Sequence, residues 1–173
     1  MDTITTTKKV EATLKILHFS MGKTDFAIRL SDVNEVVKLK ELRKIPRVPF
    51  YVEGVLHLRG ELIIIISLRK LLNTSGEQNP KSKIIIFTLG DRKIGFIVDD
   101  VYRIIQKRDD EILPAPPVIL KGPAPDCIVG VIEEKEKNYL LLDLKKSLST
   151  LEEERLNQVL QRELSFLIDQ INE

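Results

Sequence analysis

Two stretches of the chain, FSMGKTDFAIRLSDVNEVVK (19–38) and FTLGDRKIGFIVDDVYRIIQ (87–106), superpose without a gap. Phe19 falls on Phe87, Gly22 on Gly90, Asp32 on Asp100 and Val33 on Val101, while Val36-Val37 falls on Ile104-Ile105. A second pair follows, GVLHLRGELIIIISLRKLL (54–72) over GVIEEKEKNYLLLDLKKSL (130–148). Gly54 meets Gly130, Ile63–Ile66 meets Tyr139–Leu142, and Arg69-Lys70 meets Lys145-Lys146. The offset is 68 residues in the first pair and 76 in the second, because copy two carries a longer proline-rich connection, ILPAPPVILKGPAPD (112–126). A period of this length is too long for a solenoid. Glycines and charges fall in register along with apolar residues, so the chain reads as two copies of one small unit.

Each copy has the pattern of β structure. Lys15–Ser20 and Asp25–Leu30 flank MGKT, a glycine-containing hairpin turn. Phe26, Ile28 and Leu30 alternate with Ala27 and Arg29, the period of a half-buried strand. Copy two repeats this with Lys83–Thr88, a turn at Leu89–Arg92, and Lys93–Val98. Ile84–Phe87 is continuously apolar, as in a strand covered on both faces. Val52–Leu58, Leu62–Ser67, Ile128–Glu133 and Tyr139–Asp143 are further strand candidates. The segments Ile45–Pro49 and Pro114–Pro117 cannot continue a ladder, because proline lacks the donor. Short strands at close spacing with Gly/Pro turns favour small barrels. From Ser149 the period changes. Leu156, Leu160, Leu164, Leu167 and Ile171 fall at helical spacing, Glu152–Glu154 lies in the first turn, and Thr150 is the N-cap candidate with Glu153 at the third helical position. Such a helix packs on its own barrel or serves a partner or a second copy.

The chemistry of an enzyme is missing from the pattern. There are two histidines, His18 and His57, one cysteine, Cys127, and no CxxC, HExxH, GxSxG or Walker-type motif, so no metal, cofactor or nucleophile site is expected. The lone cysteine reads as a small buried apolar residue. The acidic clusters Asp99-Asp100 and Asp109–Glu111 read as solvated turns and strand ends. A net charge of +1, 5% aromatic residues and no tryptophan disfavour a nucleic-acid groove, although a tandem small-barrel nucleic-acid-binding protein remains the alternative reading. Neither a secretory h-region nor a membrane-length apolar run is present, so a cytoplasmic location is expected.

A binding module is left, and the knuckle Leu58-Arg59-Gly60-Glu61 is its most distinctive feature. The matching segment of copy two is the charged loop Glu133–Lys137. Glycine there permits a tight turn or close approach, and arginine offers a planar charged fork suited to interfaces. The plainer alternative is an arginine that pairs with a neighbouring acid.

In order, the segments FSMGKTDFAIRLSDVNEVV, IPRVPFYVEGVLHLRGELIIIISLRKLL, SKIIIFTLGDRKIGFIVDDVYRII, ILPAP and GVIEEKEKNYLLLDLKKSL resemble the CheW family of chemotaxis adaptors, over residues 13–148. The resemblance implies a mainly β fold of two packed, five-stranded SH3-like barrels, with strands exchanged between them, inside a domain of residues 10–150; the amphipathic helix read over 151–173 follows it and is longer than that core needs. The sequence repeats run 13–72 and 81–148. It implies a non-catalytic adaptor, without cofactor, that couples the cytoplasmic tip of a methyl-accepting chemoreceptor to the histidine kinase CheA. Such a protein is cytoplasmic, recruited to membrane-associated receptor arrays without entering the bilayer. Positions matching the receptor-contact pattern are Val33, Glu35, Gly54 and Arg59, with Ser82 and Lys83 at the start of copy two; no residues are assigned to the kinase contact. Two departures stand out. His57 replaces the usual asparagine before Leu-Arg-Gly, and Ile64 and Ser67 take the places of a proline and an aspartate, which removes an expected partner for a nearby arginine.

Overall fold

The computed structural model of the chain describes residues 13–74, 76, 79–117, 125–148 and 150–171, the side chains of Pro125, Thr150, Leu151, Leu167, Ile168 and Ile171 excepted. Eleven strands and two helices follow one another: β1 (Thr13–Met21), β2 (Thr24–Arg29), β3 (Val33–Lys38), β4 (Val52–Leu58), β5 (Glu61–Ser67), the single turn α1 (Leu68–Leu71), β6 (Lys83–Leu89), β7 (Arg92–Val98), β8 (Asp100–Arg108), β9 (Ile112–Leu113), β10 (Ile128–Glu134), β11 (Lys137–Leu142) and α2 (Thr150–Ile171). The fold is mainly β, as the repeat pattern implies. β3 and β8 are not among the strands expected from periodicity. Both lie at the end of a sheet and expose much of one face, so their polar residues blur the alternation.

The strands form two sheets, ordered β8-β1-β2-β11-β10-β9 and β3-β6-β7-β5-β4. Each takes the opening hairpin of one copy, β1-β2 or β6-β7, and its remaining strands from the other copy. The two orders become the same once β1 is read as β6, β2 as β7, β3 as β8, β4 as β10 and β5 as β11. The first sheet has a sixth strand, the two-residue β9. Residue by residue the registers agree too. Val33 pairs with Phe87 in one sheet and Val101 with Phe19 in the other. The parallel pair Ile64 and Ile94 has its twin in Leu140 and Phe26. The second sheet is built from the contiguous residues 33–98, whereas the first is assembled from both flanks of that segment. The sequence repeat and the sheet are therefore different units.

Alternation sorts the side chains into three cores. Ile84, Ile86, Ile63, Ile65, Leu56 and Ile97 fill the second sheet's own interior, and Ile16, Ala27, Ile105, Ile132, Tyr139 and Leu141 fill that of the first. The opposite faces of the same strands meet in a shared core that includes Phe19, Phe26, Ile28, Ile64, Ile66, Ile85, Phe87 and Phe96. This accounts for the unbroken apolar runs: Ile63–Ile66 and Ile84–Phe87 have no solvent face. Each such side chain contributes about 1.5–3 kcal/mol by leaving water.

The paired glycines have a steric cause. A Cβ on Gly54 would lie 2.6 Å from the carbonyl oxygen of Arg43, and one on Gly130 would lie 2.5 Å from that of Leu113. In both copies the connecting segment crosses the glycine, as the Arg43–Val55 bridge in one and the β9–β10 pairing in the other.

Helix α2 starts one residue before the expected boundary. Leu156, Val159, Leu160 and Glu163 line one face and are buried, the first three of them in the shared core. Leu156 and Leu160 lie against Ile64, Ile94 and the β6–β7 turn. Arg43 Nε lies 2.8 Å from Glu163 Oε1 as an ion pair, off the line of a hydrogen bond, and the same guanidinium sits 5.1 Å from the Phe166 ring centroid. The helix thus packs on its own chain. Thr150, the expected N-cap, is itself the first residue of the helix, and its side chain and those of Leu167 and Ile171 lie outside those described.

Candidate docking surface

The β4–β5 hairpin closes in two residues, Arg59 and Gly60, with φ of 48° and 79°. Positive φ at both central positions is what a type I′ turn requires, and glycine supplies it without strain. Lys135, the twin of Arg59, also has positive φ, at 52°. A basic residue in left-handed backbone at this tip is thus common to both copies. What differs is the partner. Arg59 donates to Glu35 on β3, so the tip of the hairpin is tied to the far edge strand of its own sheet. On the other side of the hairpin, Lys93 Nζ lies 3.1 Å from Glu61 Oε2. Of the two ion pairs, the Arg59 pair joins the sheet's two ends, whereas Lys93 and Glu61 bridge the neighbouring strands β7 and β5.

The guanidinium lowers the Glu35 carboxyl below its ordinary range, through the hydrogen bond first, and its charge adds to the effect; burial of Glu35 opposes it. The Arg59 guanidinium is held protonated more firmly in return. The Arg59 side chain nevertheless keeps 69% of its exposure, so its outer face is available to a partner.

Three of the six expected contact residues gather here. Val33 and Glu35 lie on β3 and Arg59 stands at the adjoining hairpin tip, with Thr88 Oγ1 donating to Asn34 Oδ1 at 3.1 Å beside them. Val33 also lines a shallow recess in the seam between the sheets with Ile28, Asp32, Phe87, Leu144 and Lys145, and Lys145 Nζ lies 3.6 Å from Asp32 Oδ1 across it. Gly54 is not at this surface; it is buried beneath Arg43. Ser82 and Lys83 lie at the opposite end of β3, where Lys38 pairs with Lys83 and the Ser82 carbonyl accepts from Leu39 N at 2.9 Å. Ser82 is buried, with its hydroxyl accepting from Asn79 N at 3.3 Å, while Lys83 is half-buried.

The departures at His57 and Ser67 have different weights. His57 is exposed on β4 opposite Leu62 and makes no contact that holds the knuckle. Ser67 caps α1, its hydroxyl accepting from Lys70 N at 3.2 Å, and Asp143 does the same for Lys145 N at 3.1 Å in copy two. Arg69 pairs instead with Asp99, whose other oxygen accepts from Gly22 N at 2.6 Å. The charge network is therefore rerouted. It was invisible in sequence because Asp99 is 30 residues from Arg69.

Among the described residues no group of histidine, cysteine and carboxylate could hold a metal ion, and no helix is long and apolar enough to cross a membrane. Cys127 is buried, and burial pushes its thiol up to about 11, the opposite of what a nucleophile needs.

The profile of the CheW-like domain family matches residues 15–152. The chain is similar to the chemotaxis protein CheW of Treponema pallidum, 30% identical over 148 residues that span 82% of this chain and 86% of that one. It is also similar to the chemotaxis protein CheW of Bacillus subtilis, 31% identical over 137 residues, or 78% and 85% of the two chains. The scaffolding protein TtCheW of Thermoanaerobacter tengcongensis superposes with a TM-score of 0.74 at 30% identity, covering 82% of this chain and 91% of that structure.

Proposed function

The chain belongs to the CheW family of non-catalytic chemotaxis scaffolds, and on that footing we propose that it couples the cytoplasmic tip of a methyl-accepting chemoreceptor to the histidine kinase CheA. The protein would be cytoplasmic and drawn to membrane-associated receptor arrays by these contacts. The observation that carries the reading is the exposed Arg59 guanidinium, fixed by Glu35 at the end of β3 and next to Val33 at the seam. A preset arginine beside an apolar recess suits the edge of a helical hairpin, because the ion pair has already ordered the long side chain.

Val33, Glu35 and Arg59 form one end of the receptor contact in this reading. Lys83 lies about 17 Å away along β3, five residues at strand rise. A receptor hairpin touching both must therefore lie lengthwise along β3. Gly54 and Ser82 contribute from below, by seating the connector that carries Arg43 and the backbone at Leu39.

The Arg59→Ala variant tests this. It is expected to keep the far-ultraviolet circular dichroism of the parent and to bind a receptor cytoplasmic fragment about 2 kcal/mol more weakly in a pull-down titration. Phosphate transfer by CheA mixed with the receptor fragment should respond to the parent protein and much less to the variant. Unchanged binding by a folded variant would refute the assignment.

A further inference from the structure

The two sheets share one register, so residues at the Arg59 surface have counterparts in the other sheet, and those of Asn34, Glu35, Arg59 and Glu61 line an open cleft of about 580 Å³. Its walls are His18, Tyr102, Arg103, Glu134, Lys135, Glu136, Lys137 and Tyr139. Carried across the repeat, Arg103 stands where Glu35 stands and Lys135 where Arg59 stands. The acid–base pair of one copy is two bases in the other. Lys137 likewise replaces Glu61, whose partner Lys93 becomes Asp25; but Asp25 is taken by His18, its Oδ1 2.7 Å from His18 Nε2. Arg103, Lys135 and Lys137 thus have no acidic hydrogen-bond partner among the described residues, although the charges of Arg103 and Lys135 help to lower the nearby Glu134 carboxyl after its hydrogen bond from Lys107. The β10–β11 hairpin is tied instead by Lys107 on β8, which pairs with Glu134.

The floor of the cleft is built. The His18 ring is stacked on Tyr139 with centroids 4.3 Å apart and lies 4.6 Å from Tyr102. The Tyr102 hydroxyl is within 2.9 Å of Ser20 Oγ, which sets the ring's angle while leaving Tyr102 55% exposed. The rim carries two carboxylates, Glu134 and Glu136, but its cations Arg103, Lys135 and Lys137 outnumber them and Lys107 already engages Glu134. Such a cleft accepts an acid on an apolar stem: the methylenes lie on the exposed Tyr102 ring and the carboxylate reaches the cations.

We propose that this cleft is a second docking site, which takes a glutamate or aspartate side chain of a partner protein between Arg103 and Lys135. The occupant is inferred from charge complementarity and from the first copy, where the same framework already holds a carboxylate against the same hairpin position. The site is independent of the receptor reading, because none of its residues belongs to the Val33, Glu35 and Arg59 cluster.

The test is a titration of the full chain with fluorescent hexaglutamate, read by polarisation at low ionic strength, where rim charges are least screened. Saturable binding is expected, weakened about tenfold or more by Arg103→Glu, which restores the acid–base pair of the other copy, and by Tyr102→Ala, which removes the floor. Lys81→Glu, in the turn that leads into β6 of the other sheet, should leave it unchanged. Both Arg103 and Lys135 are exposed, so Lys135→Ala provides a second variant with no expected cost to folding. Absence of saturable binding, or equal binding by Arg103→Glu, overturns the proposal. So does stronger binding of glutarate, inorganic phosphate or a single-stranded oligonucleotide than of the peptide.

Discussion

At the scale of single residues, Glu35 and Arg59 make a prediction that pH can test. The folded Glu35 carboxyl ionises below its ordinary range because Arg59 donates to it. Its contribution is therefore fully present above the unfolded value and is lost as pH falls through the folded one. A carbon-detected titration of the side chain should show a midpoint below that of a solvated glutamate, returning to the ordinary range in Arg59→Ala. Identical midpoints in the two proteins would mean that the pair is not formed in solution. Sequence carried part of this site and lacked the rest. The knuckle was conspicuous because glycine and arginine interrupt an apolar run. Its partner was not, because Glu35 is 24 residues away and nothing in a linear pattern states which acid a hairpin tip will reach. The aromatic floor under Arg103 was harder still, since His18, Tyr102 and Tyr139 come from three strands and share no spacing.

At the scale of elements, helix α2 is held by a narrow apolar face. Leu160 is 4% exposed in the shared core. Leu160→Ala should therefore destabilise the protein by about 2–4 kcal/mol, seen as a lower urea midpoint with an unchanged slope if the folded state stays compact. A loss near zero would show that the helix is not seated there. The helical period was legible in Leu156 and Leu160, which are buried, but Leu164 on the same expected stripe is 43% exposed and Val159, outside that stripe, is buried instead. The edge strands β3 and β8 were less legible. Val36 and Ile104, at equivalent positions, are exposed apolar residues, and Val37 and Ile105 turn the other way, so apolar side chains run on without alternating.

At the scale of the whole molecule, the exchange of strands sets how the chain can be divided. A cut in the loop after Thr74 separates the two sequence copies but leaves β3, β4 and β5 without β6 and β7, their neighbours in the sheet. Each half expressed alone should be largely unfolded by amide hydrogen exchange, and mixing the halves should restore protection. A half that folds unaided would contradict the sheet order. The duplication itself could be read from the chain because glycines at crossings and turns tolerate little replacement. The exchange could not, since swapped and unswapped pairings bury the same apolar faces.

The chain passes between the sheets at two neighbouring places, once through Leu30–Asp32 and once at Asp99, and both are pinned. Lys145 holds the first through Asp32, and Arg69 holds the second through Asp99. The shared core that fills the space between the sheets adds to these ties. Splaying the barrels would open that core to water, so a tug on one flank is passed to the other through packed side chains.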